Sequence, residues 1–315
     1  MKKRLPILVK VLIASALVSF FLFAPKLLST FYVYFLMEIM IWGLLAMSLN
    51  LILGYLNLVS FGHAAIFGSG AYAAAFTMTL LGGGFWQALG VGIVAAALVA
   101  WLIGFFSTRV GGIAYIMVTL IFCFSVFLLA MSATEITGGE NGIYSSVKGL
   151  EVIRGLSLDR KPLYYVVFIL TALSFFLLRR IVNSPFGRVL IAIRENEERV
   201  RFMGYRVKNF KLFASILSGA FAGLAGVLYF FMNSFVSPEA VGLPLSTEVV
   251  VWCLVGGTGT MLGPIVGTAL MLVIIQIIST YTKFYLLFVG IILVLVVAFM
   301  PEGVVGFMKN KFSKE

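Results

Sequence analysis

Between residues 6 and 133 the chain repeats one pattern: some twenty apolar residues, a short interruption of glycines or charges, then another apolar run. A helix needs about 20 apolar residues to cross the hydrocarbon core of a bilayer. Inside that core each backbone polar group must find its partner within protein, which leaves helices as the natural spanning element. Runs of this length recur through the rest of the sequence. Spans fall near 6–28, 33–54, 60–81, 85–107, 112–133, 162–181, 211–234, 246–258, 262–281 and 284–300. This predicts an all-α polytopic membrane protein of about ten transmembrane helices, one domain over 1–315. The eighth run is short, and with the ninth it is also readable as one helix kinked between Gly256 and Pro264.

The composition agrees. Charged residues make up 11% of the chain, against roughly a quarter in soluble domains, and mean hydropathy is +1.11. The start, MKKRLPILVKVLIASALVSFFLFAPK, has the basic end and apolar run of a secretory leader. Phe21, Leu22 and Phe23 stand where a cleavage site needs small residues, so it is read as a first span that stays. Cys123 and Cys253 sit singly in apolar runs, with no disulfide or metal spacing, and are read as small core residues.

The net charge of +11 is informative through its placement rather than as a sign of nucleic-acid binding. With the N-terminus inside, 17 of the 23 Lys and Arg fall on the inner side and 6 on the outer. Basic residues favour the cytoplasmic side, so both termini are expected there. Two loops stand out. The outer loop, 134–161, is Gly-rich and balanced at four acids and four bases; the inner one, within 179–211, carries nine bases and three acids. In the inner loop Ser184-Pro185 reads as a helix start and Gly204 as a stop. Val189, Ile193, Val200 and Met203 recur at helical spacing between them, opposite Arg194, Glu195, Glu197, Glu198 and Arg201. Such an amphipathic helix either lies on the membrane surface or presses into a partner's groove.

Some function classes have no support. There is no GxxxxGK[ST] phosphate loop for ATP hydrolysis, and no His, Asp or Ser cluster of the kind a membrane enzyme needs. An ion-coupled secondary transporter needs ionisable groups near the midplane, and His63, the one histidine, is the sole candidate. A lone histidine without co-ligands predicts no metal site.

His63 stands at an interruption. Gly54, Asn57, Ser60 and Gly62 break the second and third spans apart, and Gly256, Gly257, Thr258, Gly259, Gly263 and Pro264 do the same for the eighth and ninth. Paired glycine-rich breaks in a transporter point to the transport route, because unwound backbone must line a cavity or be buried in protein. Broken helices are therefore expected near 54–62 and 256–264. The candidate route residues are Asn57, Ser60, His63, Gly68, Thr258 and Gly259. His63 is read first as a brace bonded to a neighbouring carbonyl, and second as a polar group on the route. Glu38 and Glu248 are read as reaching the headgroups, and Asn50 and Gln276 as interhelical hydrogen-bond partners.

The stretch SPFGRVLIAIRENEERVRFMGYRVKNFKLFASILSGAFAGLAGVLY (184–229) resembles the cytoplasmic loop and following helix of branched-chain amino acid ABC transporter permeases, of the LivM type. LVSFGHAAIFGSGAYAAA, TGGENGI (137–143), GGTGTMLGPIVGTAL (256–270) and PEGVVGF (301–307) are similar to the same family, in order and at fitting spacings. The resemblance implies a type II ABC importer permease fold, with a coupling loop over 182–211 that docks on a separate ATPase. It gives coupling roles to Arg188, Arg194, Glu197, Glu198 and Gly204. Glu198 and Gly204 match the ends of the importers' Glu-Ala-Ala, three residues, Gly pattern, while Arg199 and Val200 replace its alanines. It implies that Thr137, Gly138, Gly139, Asn141 and Gly142 face an external substrate-binding protein; the turn itself follows from glycines free to take positive φ. The implied partners are a sister permease, two ATP-binding cassette subunits carrying ATP and Mg, and the binding protein, in a bacterial cytoplasmic membrane. The implied cargo is leucine, isoleucine, valine or a related small amino acid; urea or short amides are the alternative within the family.

Overall fold

A computed structural model describes residues 21–145, 151–153, 156–157 and 160–282, with 287–288, 290–291, 294 and 303–307 beyond them. The beginning of the first expected span and most of the last lie outside the described residues.

The apolar runs fold as helices: α1 Thr30–Leu56, α2 His63–Thr79, α3 Phe85–Ser107, α4 Ile113–Ser132, α5 Arg160–Asn183, α6 Pro185–Glu195, α7 Glu197–Phe202, α8 Val207–Asn233, α9 Leu243–Gly256 and α10 Gly263–Tyr281. Six of the described helices are long and apolar enough to cross a membrane. The expected spans at 60–81 and 246–258 are helices of 17 and 14 residues, about 26 and 21 Å long at 1.5 Å per residue. Each begins after an irregular stretch and is shorter than the roughly 30 Å hydrocarbon core. The 246–281 region is two helices rather than one kinked one.

α1 and α8 form the centre and are buried along most of their lengths, while α4 and α5 bury only a minor share of theirs. The packing around α8 rests on absent side chains. Gly219 lies on Ala100, Gly223 on Ala96 and Gly226 on Phe67. A Cβ at Gly70 of α2 would stand 2.7 Å from the Gly223 carbonyl oxygen. Small residues at these crossings let the backbones meet, which is how helices associate where hydrophobic exclusion of water is missing.

The expected all-α character holds apart from two short antiparallel ladders among the described residues. Ile143–Tyr144 pairs with Phe235–Val236, and Glu151–Ile153 with Leu156–Ser157. The first ladder ties the outer loop to a chain segment that turns back into the bundle. That segment, Pro238–Val241, is a 3-10 turn with Pro238, Ala240 and Val241 buried. A Cβ at Gly68 would overlap Val241 and stand 2.9 Å from the Ala240 carbonyl oxygen. Gly68 thus lets this re-entrant segment lie directly on α2.

Candidate functional site

The first break runs from Asn57 to Gly62. Asn57 ends α1 in the left-handed conformation at φ 57°, a state Asn tolerates better than most residues. The backbone donors that follow are satisfied by side chains, two from across the bundle and one from the break itself. Phe61 N–H donates to Thr119 Oγ1 of α4 (3.2 Å), Gly62 N–H to Ser60 Oγ (3.3 Å) and Ala64 N–H to Ser246 Oγ of α9 (2.9 Å). Irregular backbone at this depth is tolerated because protein supplies its partners.

His63, the first residue of α2, is fully buried. Its Nε2 lies 2.8 Å from Ser218 Oγ of α8, and that hydroxyl lies 2.5 Å from the Ser48 carbonyl oxygen of α1. A hydroxyl has one proton to give, and the carbonyl can only accept it. Ser218 therefore donates to Ser48 and accepts from His63 Nε2–H, which fixes the tautomer and leaves Nδ1 as an acceptor with no partner among the described residues. The brace expected at the break is present, with one change: the imidazole bonds a hydroxyl on a distant helix, not a neighbouring carbonyl. One chain of bonds joins α2, α8 and α1.

The second break, Gly257 to Leu262, meets the C-terminal end of α1. Asn50 Oδ1 accepts Gly259 N–H (3.0 Å) while its Nδ2 donates to the Thr260 carbonyl (2.9 Å). Thr260 Oγ1 donates to the Gly257 carbonyl (3.1 Å) and accepts Gly263 N–H (3.0 Å), starting α10. Gly54 must be glycine, since a Cβ would overlap the Asn50 side chain and the Gly259 nitrogen. The tail segment joins here too, with Gly303 against the backbone of Gly257.

The inner loop packs on the same end. It is two helices rather than the single one expected from Ser184 to Gly204. Ser184 caps α6, accepting Gly187 N–H at 3.4 Å. Asn196 breaks the helix at φ −159°, and its Oδ1 accepts Arg199 N–H (2.8 Å) to cap α7. An Asn side chain competes in this way with the helical backbone. The buried face is Gly187, Leu190, Ile193 and Val200, whereas Met203, expected on that face, is 69% exposed beside Phe202 at 90%. Gly204, at φ 88°, lies just past the end of α7. Arg188, Glu198 and Gly204 are exposed.

Arg194, although itself exposed, and the half-buried Glu197 reach back to the bundle. Arg194 Nη1 donates to the Gly54 carbonyl at 2.6 Å, and Glu197 accepts from Lys211 Nζ at 2.6 Å and Arg201 at 3.2 Å. The Lys211 side chain is 5% exposed, so α8 begins with a buried cation held by the inner loop.

At the opposite end Gly138, Gly139 and Gly142 take positive φ, as expected. Thr137 Oγ1 lies 2.6 Å from the Ala130 carbonyl and accepts Gly139 N–H at 3.3 Å. Asn141 is exposed at the tip.

The structure therefore brings Thr258 and Gly259 together with Arg194 at the inner-loop end. Ser60 and His63 are buried deeper, Asn57 is exposed, and Gly68 is covered by the re-entrant segment. Cys123 and Cys253 are buried, the thiols on the Val241 and Ala46 carbonyls. Glu38 lies eight residues into α1, about 12 Å from its start, and takes the Trp42 indole N–H at 3.5 Å. Gln276 is exposed and makes no interhelical bond among the described residues. Sequence reasoning missed Thr119, Ser218, Ser246 and Lys211. Hydroxyls in apolar helices most often bond their own preceding turn, and nothing in the local sequence marks those that reach across.

Helices interrupted in pairs, backbone satisfied from neighbouring helices and a wired loop at one end define a polytopic membrane permease. A family model described as "Branched-chain amino acid transport system / permease component" matches residues 31–297. The chain belongs to that family. It is 33% identical over 286 residues to the high-affinity branched-chain amino acid transport system permease protein LivM of Escherichia coli K12, covering 84% of this chain and 67% of that protein. It is 32% identical to the LivM protein of Salmonella typhimurium over the same shares. The autoinducer 2 import system permease protein LsrC of Yersinia pseudotuberculosis is 28% identical over 58% of this chain and 54% of its own length. No solved structure matches.

Proposed function

We propose that the chain is the permease subunit of an ATP-driven importer for leucine, isoleucine, valine or a related small amino acid, with the type II importer arrangement. It works in a bacterial cytoplasmic membrane with both termini inside. A sister permease completes the membrane unit, two ATP-binding cassette subunits carry ATP and Mg, and an external binding protein delivers the cargo to the 137–142 turn. The observation that carries this reading is the α6–α7 unit. It buries one face on α1 and α8, leaves Phe202 and Met203 exposed, and fastens to the membrane helices through Arg194 and Glu197. A surface helix needs no such ties. Arg188, Glu198 and Gly204 lie on its exposed side, where an ATPase would dock. The route passes the two breaks, with Asn57, Thr258 and Gly259 towards its inner mouth and Ser60, His63 and Gly68 as its framework. The cargo reading is supported by the two LivM proteins, whose names specify branched-chain amino acids.

Gentle affinity purification from the native membrane, with mass spectrometry of the partners, tests the assembly. Recovery of a P-loop ATPase and a second permease supports it. Recovery of this chain alone supports an ATP-independent carrier instead. Ligand screening of the co-purified binding protein separates leucine, isoleucine and valine from urea and short amides.

A further inference from the structure

We infer that Arg194 is a latch residue: its bond to the Gly54 carbonyl holds the inner break at 257–262 in place, so movement of the inner loop is transmitted to the break through this contact. The inference rests on the reading of α6–α7 as the docking unit and assigns the residue by which that unit acts.

The last carbonyls of a helix have no partner within it, and the end of α1 is no exception. Asn57 and Leu58 N–H both turn back to the Ile52 carbonyl, which leaves those of Leu53 to Leu56 uncommitted by the helix. Arg194 takes one of them. A cation at a helix C-terminus is favoured by the helix dipole, and a charge-assisted bond is stronger than a neutral one. The position of the guanidinium does more than cap. A Cβ at Gly259 would stand 3.1 Å from Arg194 Nη1 and 3.4 Å from the Gly54 carbonyl oxygen. One turn back along α1, Asn50 grips Gly259 N–H and the Thr260 carbonyl. The end of α1, the end of α6 and the second break therefore share one polar junction.

The neighbouring tie is of a different kind. Glu197–Lys211 joins the loop to the start of α8, a long helix that Ser218 binds to α1 and α2. Displacing the loop can leave that anchor intact as a pivot while Arg194 leaves Gly54.

Two readouts test the latch. In proteoliposomes holding the assembled transporter, Arg194→Ala is expected to raise the ATP consumed per substrate imported by at least fivefold, with hydrolysis itself retained. Arg194→Lys, which keeps the charge and one donor, restores most of the ratio. In the purified chain without partners, Arg194→Ala is expected to speed amide exchange across 257–262 at least tenfold and to leave 57–64 unchanged. Faster exchange confined to 257–262 supports the latch even where ATP-driven uptake fails for the wild type, which would sink only the functional reading. A wild-type ATP ratio in Arg194→Ala, or unchanged exchange at 257–262, overturns it. Equal acceleration in both segments also overturns it, since that is general loosening.

Discussion

The two breaks have similar compositions and opposite construction. At 57–62 the chain is held by Thr119, Ser246 and the relay from His63 through Ser218 to the Ser48 carbonyl, with Thr119, Ser246 and Ser218 on three other helices and all of these residues buried. At 257–262 the backbone is half-exposed and gripped by Asn50, with Arg194 alongside. The bonds are of similar length, but buried partners on several helices make a rigid fixture, whereas one asparagine clamp on partly exposed backbone makes one that can open. Under the proposed latch the first break belongs to the frame of the permease and the second is its moving part.

The sharpest way to break this contrast is through the anchors. Glu197→Ala strands the buried Lys211 ammonium. Removing one member of a buried pair costs about 3–5 kcal/mol, and the lower figure applies because Glu197 is 37% exposed and water can reach the gap. Thermal unfolding in detergent should fall markedly. Lys211→Met should be far milder, because Glu197 keeps Arg201 and solvent. Asn50→Leu leaves Gly259 N–H and the Thr260 carbonyl unpaired, costing about 2 kcal/mol; uptake should fall at least tenfold while membrane insertion persists. Ser218→Ala strips His63 and the Ser48 carbonyl of their shared partner, for about 1–2 kcal/mol. It should lower the unfolding midpoint and leave uptake per folded molecule close to wild type; a selective loss of uptake would move His63 from frame to route. Smallest is Arg201→Ala. Its pair with Glu197 is an exposed i,i+4 contact with Arg201 63% exposed, worth under about 0.5 kcal/mol, so no change in the midpoint is expected.

Much of the frame was legible in the sequence. Apolar runs set the helices, glycine clusters placed both breaks, and Gly138, Gly139 and Gly142 announced positive φ. The inner loop was readable as amphipathic but not as two helices, since Asn196 acts through a side-chain cap that competes only weakly with a helical pattern. The short α2 and α9 were overextended for a related reason. Hydropathy reports which residues tolerate lipid or core, not where a helix begins inside the bundle, and Phe61 or Leu245 is equally apolar on either side of a boundary. The re-entrant 235–241 segment was hidden likewise, because its pairing with 143–144 is a contact distant in sequence. The site's connectors were the least legible. Asn50 stands one turn before Gly54, but that it clamps a turn 210 residues away is fixed only by the packing of α1 on α9 and α10.

The central claim is that one break moves and the other does not. Single cysteines at Thr258 and Ser60, in a background lacking Cys123 and Cys253, can be labelled by a membrane-permeant maleimide in the assembled transporter, nucleotide-free and trapped with ATP. The account predicts that labelling at 258 changes at least tenfold between the two states while 60 stays protected in both. Equal behaviour at the two positions, whether both fixed or both changing, would contradict it.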